Sequence, residues 1–106
     1  MFRSKHKRRG ACDITVQELC EMANRLDNII LLDVRSPQEY KEGHLEKSIN
    51  LPLYEIEKDA ENVISDRNSV VIVCCKSGRR SKKACEVLKQ KGYNNLYNLF
   101  QGLDGI

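Results

Sequence analysis

The sequence lacks any hydrophobic run that is long enough to cross a membrane. Its longest apolar runs, IILL and VVIVCC, fall far short of the roughly 20 residues that a membrane-spanning helix requires. The basic start, MFRSKHKRRG, is not followed by the apolar stretch of a secretory signal peptide. We therefore expect neither stable membrane insertion nor secretion.

The cysteines lack the pattern of a disulfide framework or of a zinc site. Their number is odd, no CxxC pair occurs, and the two histidines do not stand at zinc-ligand spacing from them. We expect free thiols in a cytoplasmic protein, with no metal and no cofactor. The five residues are Cys12, Cys20, Cys74, Cys75 and Cys85.

Charge is concentrated at the start of the chain. The 106 residues carry a net charge of +3, and much of the excess lies in residues 1–11. We predict that this segment is a disordered basic tail and that residues 12–106 form one domain. Without the tail the chain is close to neutral, so no nucleic-acid partner is expected. Weak attachment of the tail to anionic lipid or RNA is the alternative interpretation.

Strands and helices alternate along the rest of the chain. Capping-box patterns predict helices that begin after Thr15 and after Ser36, the second one ending at Gly43. Cys20 is interpreted as part of the core face of the first helix. Strands are predicted at residues 29–34, 48–51, 70–74 and 96–99, and further helices at 53–64 and 81–91. This order indicates an α/β domain with a mainly parallel sheet.

The segment CKSGRRS holds the most distinctive chemistry of the sequence. The strand at 70–74 brings Cys75 to the carboxyl edge of the sheet, where active sites of such folds lie. A turn at Gly78 and the start of a helix can form an anion-binding nest of backbone N–H groups. Lys76, Arg79 and Arg80 add positive charge, so the nucleophilic thiolate is favoured. The alternative is a structural cysteine that ends a buried strand before a solvated basic loop.

The longer segment VVIVCCKSGRRSKKACEVLKQKGYNNLYNLFQGLDGI and the earlier LLDVRSPQEYKEGHLEKSINLPL together resemble the two halves of the single-domain rhodanese family, over residues 14–105. The resemblance implies a five-stranded parallel sheet flanked by helices. It also implies a sulfurtransferase that carries sulfane sulfur on Cys75 as a persulfide. The donor would be a small anion such as thiosulfate, and the acceptor cyanide, a thiol or a protein. The implied donor-binding loop consists of Lys76, Ser77, Gly78, Arg79 and Arg80.

Other positions of the resemblance are interpreted as structural. Asp33 and Arg35 match the family's DVR element and are expected to form an ion pair that holds the neighbouring loop. His44 is expected to brace its loop by a hydrogen bond, and Cys74 to pack in the core. Leu103 departs from the family, which usually has a second glycine there followed by a further helix.

Two alternative functions share this architecture. Phosphatases and arsenate reductases resemble it but have a C-x5-R loop, whereas Arg80 closes a shorter C-x4-R loop and Ser81 stands at the next position. A non-catalytic interaction module is the other alternative, although such relatives typically lack the cysteine. Sulfur transfer is the function that the sequence favours.

Overall fold

Five parallel strands form the central sheet in the computed structural model, which describes residues 12–105. The strands are β1 (Asp13–Ile14), β2 (Ile29–Asp33), β3 (Ile49–Asn50), β4 (Val70–Cys74) and β5 (Asn95–Leu99). The helices are α1 (Val16–Arg25), α2 (Pro37–Glu42), α3 (Ile56–Val63) and α4 (Arg79–Gln90), with 3-10 turns at Leu53–Glu55 and Leu103–Gly105. The strand order β1-β5-β4-β2-β3 confirms the predicted parallel α/β fold. The predicted basic tail, residues 1–11, lies outside the described residues.

Capping boxes begin the first two helices, as the sequence predicts. Glu18 Oε1 accepts a hydrogen bond from the Thr15 N–H at 2.8 Å, and Thr15 Oγ1 accepts one from the Glu18 N–H at 3.1 Å. Ser36 and Glu39 exchange the same two bonds at 2.9 and 3.2 Å. These contacts satisfy backbone donors that a first helical turn leaves without partners. Gly43 follows α2 as its C-cap, also as predicted.

The register of the sheet brings the ends of β2 and β4 together. Val70 lies opposite Ile29, and Cys74 lies opposite Asp33. Because the two strands are parallel and end level, the segments that follow them leave the same edge of the sheet side by side. The structure therefore places the loop after Cys74 next to the loop that leads into α2.

The two faces of the sheet carry separate hydrophobic clusters. We name the side that α3 and α4 cover the α4 face; its cluster includes Leu32, Ala60, Val71, Val73 and Leu88. The other side, which α1 covers, is the α1 face. Its cluster contains Ile14, Leu19, Ile72, Cys74 and Leu99, with Ile29, Leu31 and Tyr97 only partly buried against it. Alternation along each strand divides the residues between the two faces.

Details of several elements differ from the predictions. The interpretation of Cys20 as a core residue is wrong: its side chain is exposed, because α1 packs against the sheet through Val16, Leu19 and Met22. The two-residue strand β1 is too short to give an alternating pattern, and the sequence did not reveal it. The helix predicted from residue 81 already begins at Arg79, because Gly78 provides a left-handed N-cap.

Candidate active site

Cys75 lies directly after β4, and its sulfur is held by the first turn of α4. The side chain is fully buried. Its Sγ accepts hydrogen bonds from the backbone N–H of Gly78 at 3.1 Å and of Ser81 at 3.3 Å, and it lies 3.5 Å from Ser81 Oγ. Two N–H donors together with the N-terminus of a helix favour negative charge on the sulfur. This is the anion nest that the sequence predicts after Cys75.

Gly78 is necessary for the shape of this nest. Its φ of 92° lies in the left-handed region, which other residues rarely adopt. A Cβ at this position would collide with the backbone of Phe100, meeting its carbonyl oxygen and lying 2.8 Å from its carbonyl carbon. The loop therefore turns close against the end of β5, and only glycine combines this conformation with this close approach.

The segment after β5 supports the loop through backbone hydrogen bonds. The N–H groups of Leu103 and Asp104 donate hydrogen bonds to the carbonyl oxygens of Cys75 at 2.8 Å and Lys76 at 2.9 Å. Gly102, with φ of 70°, lies so close that a Cβ would be 2.6 Å from Ser77 Cα. The departure at Leu103 thus leaves the backbone contacts to the loop in place.

The three cations of the loop have different surroundings. The side chains of Lys76 and Arg79 are exposed. Arg80 is turned toward α2, where its Nη1 and Nη2 donate to the two carboxylate oxygens of Glu39 at 2.6 and 2.9 Å. The Arg80 hydrogen bonds, followed by those from Ser36, lower the pKa of Glu39 to about 2. The same pairing raises the pKa of Arg80.

A buried polar network behind the sulfur contains a residue that the sequence analysis missed. Asn98, on β5, points to the α4 face and is 3% exposed. Its Oδ1 accepts a hydrogen bond from Ser81 Oγ, and its Nδ2 donates to Asp13 Oδ1 at 3.0 Å. A polar residue on the buried face of a strand was the available signal, because such a group must find partners.

Asp33 and Arg35 form the predicted ion pair beside the site. Asp33 is fully buried, and the Arg35 guanidinium donates to both of its carboxylate oxygens at 2.8–3.1 Å. The Nη2 of Arg35 also donates to the Gly43 carbonyl at 2.7 Å, so the pair ties the end of β2 to the end of α2. His44 stacks on Tyr40 with ring centroids 3.6 Å apart, and its Nδ1 lies 2.7 Å from the Tyr40 carbonyl oxygen.

The neighbouring thiol Cys74 has a different environment. It is fully buried on the α1 face, and burial, with the Asp33 charge as a smaller cause, raises its pKa to about 12. Burial likewise raises the pKa of Cys85, on α4, to about 12. Neither thiol has the thiolate character that nucleophilic chemistry needs at neutral pH.

Two clefts flank the loop. The first, of about 310 Å³, is lined by Arg35, Glu39, Glu42, Gly43, Lys76, Leu103 and Asp104. The second, of about 250 Å³, is lined by Asp13, Ser77, Gly78, Arg79, Lys82, Asn98 and Phe100. Lys76 lies in the first cleft, whose lining includes three carboxylates, and Arg79 lies with Lys82 in the second, whose lining includes one. Over residues 12–105, no cluster of three or more His, Cys, Asp or Glu side chains is arranged to hold a metal ion.

Comparison with known proteins finds a matching family model and several similar chains. A family model described as "Rhodanese-like domain" matches residues 15–106. The thiosulfate sulfurtransferase PspE of Escherichia coli is 37% identical over 67 residues, which cover 63% of this chain and 64% of PspE. A sulfurtransferase of Allochromatium vinosum is 31% identical over 91 residues, covering 86% of this chain and 83% of that protein.

The length of the match varies among the relatives. The putative sulfur carrier protein YrkF of Bacillus subtilis is 29% identical over 91 residues, covering 86% of this chain but 48% of YrkF. This chain thus spans less than two thirds of the length of both PspE and YrkF.

Solved structures agree in fold. A rhodanese from E. coli solved with anions is 36% identical with a TM-score of 0.69, covering 74% of this chain and 91% of that one. The human single-domain sulfurtransferase TSTD1 has a TM-score of 0.78 over 91% of this chain and 95% of its own. At 22% identity, the second likeness concerns the fold alone.

Proposed function

The chain belongs to the rhodanese-like domain family, and we propose that it is a sulfurtransferase of the thiosulfate sulfurtransferase type that carries sulfur as a Cys75 persulfide. One observation carries the proposal: the Cys75 sulfur accepts two backbone hydrogen bonds at the start of α4. The relatives named as sulfurtransferases support the same reaction class.

In the first half-reaction, the Cys75 thiolate attacks the sulfane sulfur of a donor such as thiosulfate. A new sulfur–sulfur bond forms at Sγ, the sulfur–sulfur bond of thiosulfate breaks, and its electron pair leaves with sulfite. The N–H groups of Gly78 and Ser81 stabilise the negative sulfur before attack. No oxidant or reductant is needed, because sulfane sulfur is transferred without net electron transfer.

In the second half-reaction, a nucleophile attacks the outer sulfur of the persulfide. Cyanide takes up this sulfur and becomes thiocyanate, whereas a low-molecular-weight or protein thiolate becomes a persulfide. The bond to Sγ breaks, and its electron pair restores the Cys75 thiolate. The nest that holds the thiolate at the start therefore also stabilises the leaving group at the end.

The loop from Lys76 to Arg80 is proposed to bind the anionic donor. Lys76 and Arg79 are exposed, one in each cleft, and can attract an anion from either side of the loop. The backbone of Ser77 and Gly78 shapes the nest between them. Arg80 belongs to the same loop, but its guanidinium is held by Glu39.

The alternative functions have less support from the site. The longer loop of the phosphatase and arsenate-reductase group would require an arginine at position 81, where a buried serine lies 3.5 Å from the sulfur. A non-catalytic module has no need of a cysteine in a nest.

In the part of the chain that the structure describes, no helix is long and apolar enough to span a membrane. The cytoplasmic location and the absence of a nucleic-acid partner stay predictions.

Intact mass measurement tests the proposed function. After incubation with thiosulfate, we expect wild-type protein to gain the mass of one sulfur atom and to lose it on addition of cyanide. Cys75→Ser should gain none, whereas Cys20→Ser, which changes an exposed thiol on α1, should behave as wild type. If wild-type protein gained no sulfur but hydrolysed an aryl phosphate, the phosphatase alternative would replace sulfur transfer.

A further inference from the structure

The contact between Arg80 and Glu39 connects the active-site loop to α2. The two residues are 41 positions apart in the chain, and they form a fork-to-fork pair at 2.6 and 2.9 Å. A bidentate arginine–carboxylate pair fixes orientation as well as distance. It therefore restrains the position of the Arg80 guanidinium more than a single contact would.

Glu39 is itself held in place on α2. Its Oε1, which accepts from Arg80 Nη1, also accepts the Ser36 N–H at 2.9 Å, while its own N–H donates to Ser36 Oγ. The carboxylate is thus part of the capping box of α2 rather than the end of a freely rotating side chain. A restraint from this carboxylate on Arg80 is transmitted from the body of the domain.

Arg80 is next to a residue that contacts the sulfur. Ser81, the following residue, donates its backbone N–H to Cys75 Sγ at 3.3 Å. A displacement of the Arg80 backbone moves the Arg80–Ser81 peptide, and with it the Ser81 N–H that donates to the sulfur. Because the Cys75 side chain is fully buried under the loop, any movement of the first turn of α4 also changes access to the sulfur.

We propose that Glu39 is a positioning residue for the reaction of Cys75: it holds Arg80, and through Arg80 it keeps the first turn of α4 closed over the sulfur. Arg80 then acts as a strut from α2 to the loop. The cations that meet the donor are Lys76 and Arg79. The kinetic consequence rests on the proposed sulfur transfer, whereas the closure of the loop does not.

Glu39→Gln is the most direct variant, because glutamine can keep the capping box while it loses the charge and the symmetric fork. We expect kcat for thiosulfate:cyanide transfer to fall about tenfold with little change in KM, since the N–H donor is misplaced while the donor-binding cations remain. Arg80→Gln should lose as much, and the double variant no more than either single one. Arg80→Lys, which keeps the charge but not the fork, should also lose activity.

Direct binding of the donor by Arg80 would give the opposite pattern. Releasing Arg80 through Glu39→Gln would then lower KM, Arg80→Gln would raise it, and Arg80→Lys would be nearly as good as wild type. That result would overturn the proposal. Glu61→Gln is the matched control, because it removes a carboxylate from another exposed ion-pair cluster, with Arg67 and Lys91, away from the loop.

Alkylation provides a readout that does not depend on sulfur transfer. After brief treatment with iodoacetamide on the alkaline plateau of the reaction, where the rate no longer depends on pH, peptide mass mapping should find Cys75 alkylated several-fold faster in Glu39→Gln than in wild type, because the loop opens more often. Cys74 and Cys85 should stay unmodified; faster alkylation of all three would indicate general destabilisation and would contradict the proposal. An unchanged Cys75 rate would do so as well, even in a protein that transfers no sulfur.

Discussion

The two faces of the sheet differ in how completely helices cover them, and the adjacent residues Cys74 and Cys75 belong to opposite faces. On the α4 face, two helices bury a continuous cluster in which Leu32, Val73 and Leu88 have no exposed surface. On the α1 face, one helix covers the sheet, and residues such as Leu31 remain partly exposed.

The difference explains why one cysteine has a reactive environment and its neighbour has not. Consecutive residues of an extended chain point to opposite sides. Cys75 therefore faces α4, whose first turn supplies two N–H donors. Cys74 faces the α1 side, where burial raises its pKa to about 12. Side-chain direction at the end of β4, rather than residue type, separates the thiol that we propose as the nucleophile from the structural one.

Replacing Cys75 and Cys74 one at a time should give the largest difference in activity. Cys75→Ser should reduce thiosulfate:cyanide sulfur transfer to background, because serine cannot form a persulfide. Cys74→Ala should keep most of the activity, since its side chain lies on the other face. Circular dichroism of both variants would control for folding. A folded Cys74→Ala protein without activity would mean that the wrong thiol has been assigned.

Core truncations should reveal the difference in coverage. Leu88→Ala on the α4 face should lower the free energy of unfolding by about 2–5 kcal/mol, because a fully buried side chain leaves a cavity. Leu31→Ala on the α1 face should cost about 1–2 kcal/mol, since part of its surface is already exposed. Urea unfolding measures both. Equal losses would show that the faces do not differ energetically.

Neighbouring residues of β5 offer the same comparison for activity. Asn98→Ala removes the partner of Ser81 on the α4 face and should lower sulfur transfer about tenfold, the effect of an unsatisfied buried hydrogen-bonding group near the sulfur. Tyr97→Leu changes the adjacent position on the α1 face and should leave turnover unchanged. Steady-state kinetics at equal concentrations of folded protein would compare the turnover of the two variants. Equal effects of the two variants would exclude a specific role of the Asn98 network.

Alkaline pH should lower the stability of the fold through the buried Cys74 thiol. Burial in the fold raises the pKa of the Cys74 thiol to about 12, whereas in the unfolded chain its pKa is about 8.5. The unfolded state therefore binds fewer protons in this window, and the free energy of unfolding falls as the pH rises through it. The free energy of unfolding, measured in urea between about pH 8 and 10.5, should fall less steeply with pH for Cys74→Ala than for wild type or for Cys20→Ser. Identical slopes would contradict the raised pKa.

Local signals in the sequence were sufficient for most of the elements. The boxes at Thr15 and Ser36 and the stop at Gly43 depend on contacts between residues three positions apart, so their patterns predict them directly. The apolar run of β4 is equally local. The exposure of Cys20 could not be predicted in the same way, because helical spacing gives the apolar face of a helix but not how much of it the sheet covers.

For the site, the sequence by itself determined the order of strand, cysteine, glycine turn and helix start. That order is sufficient for a nest around Cys75, because the nest is made by backbone N–H groups within six residues of the thiol. The tertiary structure alone decided the partners of the side chains. Glu39 reaches Arg80 from 41 residues away, and Asn98 reaches Ser81 from 17, because parallel strands bring distant segments to one edge of the sheet. Register and packing set such contacts, and no local pattern in the chain encodes them.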